Sequence, residues 1–405
     1  MTLSQFFFFF LITVLIFYIL LSKLKFEWQI KCLFILGIIQ SYSQIAYTQP
    51  MVHSGDYTGH LGYIEYIYNH HWLPPPTGWQ SSHPPLYYLI SSIFYTIGVE
   101  SGTSPMTMVR IGSCFLFYSA LVFLVIAQRA IIKYKFFRFV ALGLIIAWPS
   151  TAHFSVKITD DLAQLFFTSY FITFAILILN QSSKFNLTNL TIATAGAIGS
   201  KATGIIILII YFLLLTYLFI KQKNKSYSFR EISLLFLNIL ILTTSIVFSF
   251  GRIYLWNTNT ENKVNYFINR HDDISEAYDL VSNEFSKLLY FDPQTFIQQP
   301  FHSLIRESAS SSYFFHVFTK SIIYEIGEGN HLNGRGIAPW VNASFLFYLI
   351  STALLIILSI KERIFTKKLT MICIYIIVAF MAVFAGRISI PISNHGVVRF
   401  VYYIS

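Results

Sequence analysis

The chain has 405 residues, of which 55% are hydrophobic and only 11% charged, with a mean hydropathy of +0.60 and a formal charge of +10. A water-facing globular surface takes about a quarter charged residues, so this composition excludes a soluble protein of this size and points to a surface that faces lipid. The positive excess is accounted for by short basic turns between apolar runs, which removes nucleic acid as a partner.

Taken in chain order, apolar runs of about 17–21 residues recur, each long enough for a hydrocarbon core of about 30 Å, and about ten are expected to span. They cover 6–22, 29–47, 107–127, 139–155, 161–180, 188–200, 203–220, 231–250, 341–360 and 369–388. The first lacks the basic start and small-residue cleavage site of a signal peptide and reads as a spanning helix. The expected fold is an all-α polytopic membrane protein.

Basic residues mark the cytoplasmic ends of spans. Lys23, Lys25 and Lys31 fall in one turn, Arg129, Lys133, Lys135 and Arg138 in a second, Lys221, Lys223, Lys225 and Arg230 in a third, and Lys361, Arg363, Lys367 and Lys368 in a fourth. Strict crossing puts all four on one face. No Lys or Arg occurs between Lys31 and Arg110, so loop 48–106 belongs outside, together with the turn at 150–161 and the long segment 251–340. Among the acidic residues only Glu27, Glu231 and Glu362 fall on the cytoplasmic face, so the chemistry belongs to the outer one. Cys32, Cys114 and Cys373 sit in or beside apolar spans without metal-ligand spacing and read as packing residues.

Loop 48–106 places Asp56 just after the second span. A helix follows whose apolar face includes Leu61, Ile64 and Tyr68; it is too short and polar to span and is expected to lie along the membrane surface. Pro74, Pro75 and Pro76 end it, and Pro84-Pro85 open a second aromatic helix, proline being well placed at a helix start. In the outer turn, Asp160 and Asp161 stand at the mouth of the next span. Thr159 or Asp160 is expected to cap that helix, which leaves the second acid in need of another reason. Segment 251–340 is expected to be a solvated loop or small domain that covers the site and shapes acceptor choice. Residues 341–405 form C-terminal spans, and Arg399-Phe-Val-Tyr-Tyr-Ile-Ser405 reads like the start of another, as in a fragment of a longer chain.

Five pieces occur in order: Gly55-Asp56-Tyr57-Thr58-Gly59-His60, Leu73-Pro74, His83-Pro84-Pro85-Leu86-Tyr87-Tyr88, Thr159-Asp160-Asp161-Leu162-Ala163 and Gly199-Ser200-Lys201-Ala202-Thr203-Gly204. The set resembles the type C (GT-C) integral membrane glycosyltransferases, in particular the protein O-mannosyltransferases and the aminoarabinose transferase of lipid A. The resemblance covers about 50–210 and implies a catalytic module over 1–250, a polyprenyl-phosphate-linked sugar as donor, and a lipid, glycan or protein acceptor at the outer face. The position matching Asp56 implies a carboxylate that activates the acceptor; a hydroxyl or amine attacking a sugar carbon must lose a proton, and a general base assists. The phosphate leaving group needs positive charge, for which Lys201, Arg399 and Lys157 are candidates.

Further candidate substrate contacts are His60, Glu65, His83, Asp160 and Asp161. Several family members carry an acid and then a basic residue before the proline, where this chain has Ser82-His83. His83 can stand in for the base, and no carboxylate replaces the acid unless Glu65 folds back. Asp56 and His60, four apart, suit one helix face and with Asp160-Asp161 could complete a divalent-cation site; the family includes metal-dependent and metal-independent enzymes, and the cofactor stays open. Membrane lipids are the remaining partner. One rival reading is a lipid or ion transporter, or a flippase. It would carry charges in mid-span, whereas the acids here cluster at outer span ends. The other rival is an assembly subunit that keeps the fold without the activity.

Overall fold

A computed structural model of the chain describes residues 2–48, 57–78, 80–147, 149–180, 184–221 and 229–261, with Leu346 and Ile350. Asp56, Arg399, the expected span 369–388, all of 341–360 but Leu346 and Ile350, and nearly all of segment 251–340 lie outside the described residues. The chain divides into one unit over 1–146 and 152–269 and a second over 147–151 and 270–405. Almost all described residues belong to the first.

The described residues form eleven α-helices and no strand: α1 (Leu3–Lys23), α2 (Trp28–Tyr47), α3 (Tyr57–His70), α4 (Leu86–Glu100), α5 (Pro105–Ile131), α6 (Lys135–Ala147), α7 (Pro149–Phe154), α8 (Asp161–Asn180), α9 (Lys184–Ser200), α10 (Ile205–Lys221) and α11 (Phe229–Asn259), with a 3-10 turn over Ala202–Gly204. Their ends are read easily from the sequence. Thr2 and Gln5 form a capping box at α1, and Ser104 accepts a hydrogen bond from the Thr107 amide with Pro105 in the first turn of α5.

Among the described residues, six helical stretches are long and apolar enough to cross a membrane: Leu3–Lys23, Trp28–Tyr47, Pro105–Ile131, Asp161–Leu179, Ala202–Ile220 and Leu235–Asn259. The chain is thus an all-α protein with apolar helices of membrane-spanning length, and their outward residues fit contact with lipid: Phe8 is 59% exposed and Phe236 69%. These six match six of the ten expected spans. Of the rest, 369–388 and all of 341–360 but Leu346 and Ile350 lie outside the described residues. The run 139–155 is described as α6, of 13 residues, and α7, of 6, on either side of position 148, which lies outside the described residues. The run 188–200 belongs to α9, whose 17 described residues are rich in Ala, Gly and Thr. The small residues have another purpose. A Cβ added at Gly196 would stand 2.1 Å from the Phe167 ring, so α9 approaches α8 at a distance only glycine allows.

Side-chain hydrogen bonds fix how the helices run. Tyr42 on α2 meets Thr13 on α1 at 2.7 Å, and Ser41 meets Tyr118 on α5 at 2.9 Å. Thr173 on α8 donates to the Phe123 carbonyl of α5, Thr191 on α9 pairs with Tyr211 on α10, and Ser245 on α11 donates to the Ala195 carbonyl. Polar groups among apolar helices need such partners, because no water reaches them. The result is a bundle with two chemically different ends. At one, Arg129 donates to the Leu24 carbonyl, and Arg138 and Lys135 pair with Glu27 at 3.1 and 3.6 Å. At the other lie the ends of α2 and α9, the starts of α5 and α8, and the loop between α3 and α4.

Candidate functional site

The site begins with two turns that the helices bring together. On α3, the buried positions are His60, Tyr63, Ile64 and Ile67, a stripe at helical spacing that packs against α4. The stripe is centred on Tyr63 and Ile64; Leu61 and Tyr68, expected on the same apolar face, are only half-buried. Tyr63 stacks on Tyr88 of α4 with ring centroids 3.8 Å apart, and the Tyr88 hydroxyl lies 2.9 Å from His60 Nδ1. Burial pushes the Tyr63 hydroxyl up to about 12, against the pull of the Arg252 guanidinium above its ring. The ring is therefore a neutral wall.

Between these helices, the chain turns at 74–85 and delivers His83. Its Nδ1 lies 2.7 Å from Oδ2 of Asp160, which is 1% exposed, and the His83 ring is 6.1 Å from that of His60. The carboxylate beside His83 thus comes from the turn before α8, 77 residues away, and not from the first loop. Glu65 does not supply it: it accepts from Tyr95 on α4.

Asp160 holds a second partner. Lys201, at the end of α9, donates to Asp160 Oδ1 at 3.4 Å and, more closely, to Asp161. Burial opposes ionisation of Asp160, and the Lys201 ammonium, the His83 ring and His60 together outweigh it, holding the carboxyl well below the usual carboxylate range. Capping does not account for either acid alone. The Thr159 hydroxyl accepts from the Asp161 amide, while Asp161 sits in the first turn of α8, where the helix dipole favours an anion, and turns its carboxylate to Lys201. Lys201 is set there by the 3-10 turn after α9, and that turn depends on Gly204: a Cβ would come within 2.3 Å of the Ala197 carbonyl oxygen.

His60, His83, Asp160, Asp161 and Lys201, all picked out from sequence, therefore share one end of the bundle. Glu65 is turned away, Lys157 is buried in the turn before Asp160, and Asp56 and Arg399 lie outside the described residues. Among the described residues no group of three or more His, Cys, Asp or Glu is placed to hold a metal ion. The adjacent carboxylates share the Lys201 ammonium instead.

Two arginines escaped sequence reading. Arg252, on α11, donates to the carbonyls of Pro74, at 2.7 Å, of Ser81, and of His83, at 3.4 Å. Arg110, on α5 and 3% exposed, donates to the carbonyls of Gln44, Ile45, Thr48 and Val156 and to the Thr48 hydroxyl. Each is the one cation near the end of a long apolar run, Gly251-Arg252-Ile253 and Val109-Arg110-Ile111. That isolation was the available signal, since a lone guanidinium among apolar residues needs several acceptors.

Comparison with protein-family models and with curated proteins finds no match for this chain.

Proposed function

We propose that this chain is a membrane glycosyltransferase that moves a sugar from a polyprenyl-phosphate donor to a lipid, glycan or protein acceptor at the outer face of the membrane. The observation that carries the reading is the meeting of His83, Asp160, Asp161 and Lys201. These residues come from three of the five motif pieces, and they gather at the bundle end opposite the basic turns. The acceptor O–H or N–H adds to the anomeric carbon, the bond from that carbon to the phosphate oxygen breaks, and the phosphate keeps the electron pair. Asp56, one residue before α3, takes the acceptor proton in this reading, a role that rests on the resemblance alone. His83, held through Nδ1 by Asp160, presents its other ring nitrogen and in protonated form meets the phosphate. Lys201 balances the two carboxylates that orient it. Arg399 stays a candidate phosphate contact by resemblance. The ion pairs occupy helix ends and turns, which suits chemistry at the membrane surface better than passage of charge through it.

The test is donor consumption by the full chain in lipid, offered polyprenyl-phosphate sugars, with Asp56→Asn, Asp160→Asn and Asp161→Asn beside the wild type. Loss of a general base lowers turnover by about 10²–10⁴-fold, and Asp56→Asn is expected to fall in that range while keeping its melting temperature. A wild-type protein that binds lipid but consumes none of the donors, by transfer or hydrolysis, would sink the reading in favour of a transporter or an assembly subunit.

A further inference from the structure

The basic end of the bundle holds more positive charge than its own acids balance. Residues 23–31 and 129–138 carry seven Lys or Arg and a single acid, Glu27. That acid is engaged by Arg138 at 3.1 Å and by Lys135 at 3.6 Å. The basic turns 221–231 and 361–368 each bring four more cations and one acid, so the surplus stands wherever those turns lie.

Within this surplus one cation is held in place. At the end of α1 the Lys25 amide donates to the Ser22 carbonyl and the Phe26 amide to the Leu21 carbonyl, both at 3.0 Å, in a Schellman turn. The turn sets Lys25 at φ 56, a left-handed conformation that favours glycine, and buries Phe26. Arg129, in the last turn of α5, lays its guanidinium 5.5 Å from the centre of the Phe26 ring and donates through Nη1 to the Leu24 carbonyl at 3.0 Å. The residue is nevertheless exposed, as are Lys23 and Lys25 on either side of Leu24. A guanidinium has five N–H donors, so a single carbonyl leaves others for a phosphate. Fixing it beforehand also lowers the ordering cost of binding.

The surroundings indicate where that phosphate comes from. Trp28, first in α2, is 68% exposed, and Tyr134, beside the start of α6, is 43% exposed. Trp and Tyr at the ends of spanning helices sit at the level of lipid headgroups, so a phosphate that reaches Arg129 arrives in the plane of the membrane.

We propose that Arg129, with Lys23 and Lys25, binds the phosphate of an anionic phospholipid in the leaflet at this end of the bundle. The binding stands whether or not the chain transfers a sugar. Diffuse attraction of a basic surface to anionic lipid depends on charge alone, whereas a site built on a guanidinium depends also on the shape of the cation.

Native mass spectrometry of the full chain, released from nanodiscs of phosphatidylglycerol and phosphatidylcholine in equal amounts, tests this, because only tightly held lipid survives release. Wild type is expected to retain phosphatidylglycerol over phosphatidylcholine. Lys23→Gln and Lys25→Gln should each weaken retention about fivefold, the effect of one basic residue at the surface. Arg129→Gln should weaken it about tenfold or more, the effect of a charged hydrogen bond, and Arg129→Lys should recover only part of that loss. Lys133→Gln, exposed at the same end but outside the site, should retain lipid like wild type. Melting curves in phosphatidylcholine alone check that each variant folds; if the Arg129 variants do not, the contrast between Lys133 and the pair Lys23 and Lys25 decides. Equal retention of the two lipids by wild type overturns the proposal, as does wild-type retention in Arg129→Lys or an equal loss in Lys133→Gln. Inorganic phosphate that displaces the lipid more than chloride does at the same ionic strength would assign the site to free phosphate and overturn the lipid.

Discussion

Asp160 is nearly inaccessible, carries a negative charge, and divides it between an imidazole at 2.7 Å and an ammonium at 3.4 Å. Removing one partner of a buried ion pair costs about 3–5 kcal/mol, because the other charge is left unpaired. Asp160→Asn is therefore expected to lower the melting temperature and to release His83. The pH dependence has a definite sign. The folded carboxyl is held below its unfolded value of about 3.9, so its contribution is present above that pH and is lost as pH falls below about 4. Melting curves from pH 7 to pH 3 should show wild type losing more stability at the acid end than Asp160→Asn; parallel curves would contradict the pairing. At this scale the sequence was informative about Asp160 and Asp161, since two adjacent acids at a helix mouth exceed what capping needs. It was silent about which residue His83 would meet, because the partner lies 77 residues away and adjacency in space leaves no local trace.

Elements meet here through arginines at helix ends. Arg252 ties α11 to the loop between α3 and α4 through three carbonyls, so the geometry of His83 depends on a helix about 170 residues later in the chain. Hydrogen bonds from charged groups are worth about 1.5–3 kcal/mol each. Arg252→Ala is expected to raise limited proteolysis within 71–85 by at least about tenfold, with the remaining cleavage sites unchanged. Arg252→Lys should recover only part of this, since a point charge cannot span carbonyls that a planar fork reaches together. Equal proteolysis of wild type and Arg252→Ala would remove Arg252 from the positioning of the loop. Helix positions were legible because long apolar runs and caps such as Thr2 and Ser104 act locally. The close approach of α9 to α8 had its signal in Gly196, whose meaning waits on the Phe167 ring opposite it.

Across the whole molecule, the basic turns at 23–27 and 129–138 contact each other at one end, and His83, Asp160, Lys201 and Arg252 gather at the other. α5, 27 residues and about 40 Å long, separates Arg110 at the second end from Arg129 at the first. If the basic end is cytoplasmic, single cysteines at the exposed positions Ser101 and Lys133, in a background without native cysteines, label from opposite sides: Ser101→Cys in intact cells with a membrane-impermeant maleimide, Lys133→Cys only after permeabilisation. Labelling of both from one side would refute the two-ended arrangement. The sequence by itself determined the lipid-facing composition, the helical class, most helix positions and the distribution of charge between two ends, because hydropathy, caps and basic turns depend on neighbours within a few residues. Tertiary packing alone brought His83 to Asp160, set Lys201 between two carboxylates and turned Glu65 to Tyr95. Those depend on how far each helix travels and on which face it presents, and both are set by packing between residues distant in the chain.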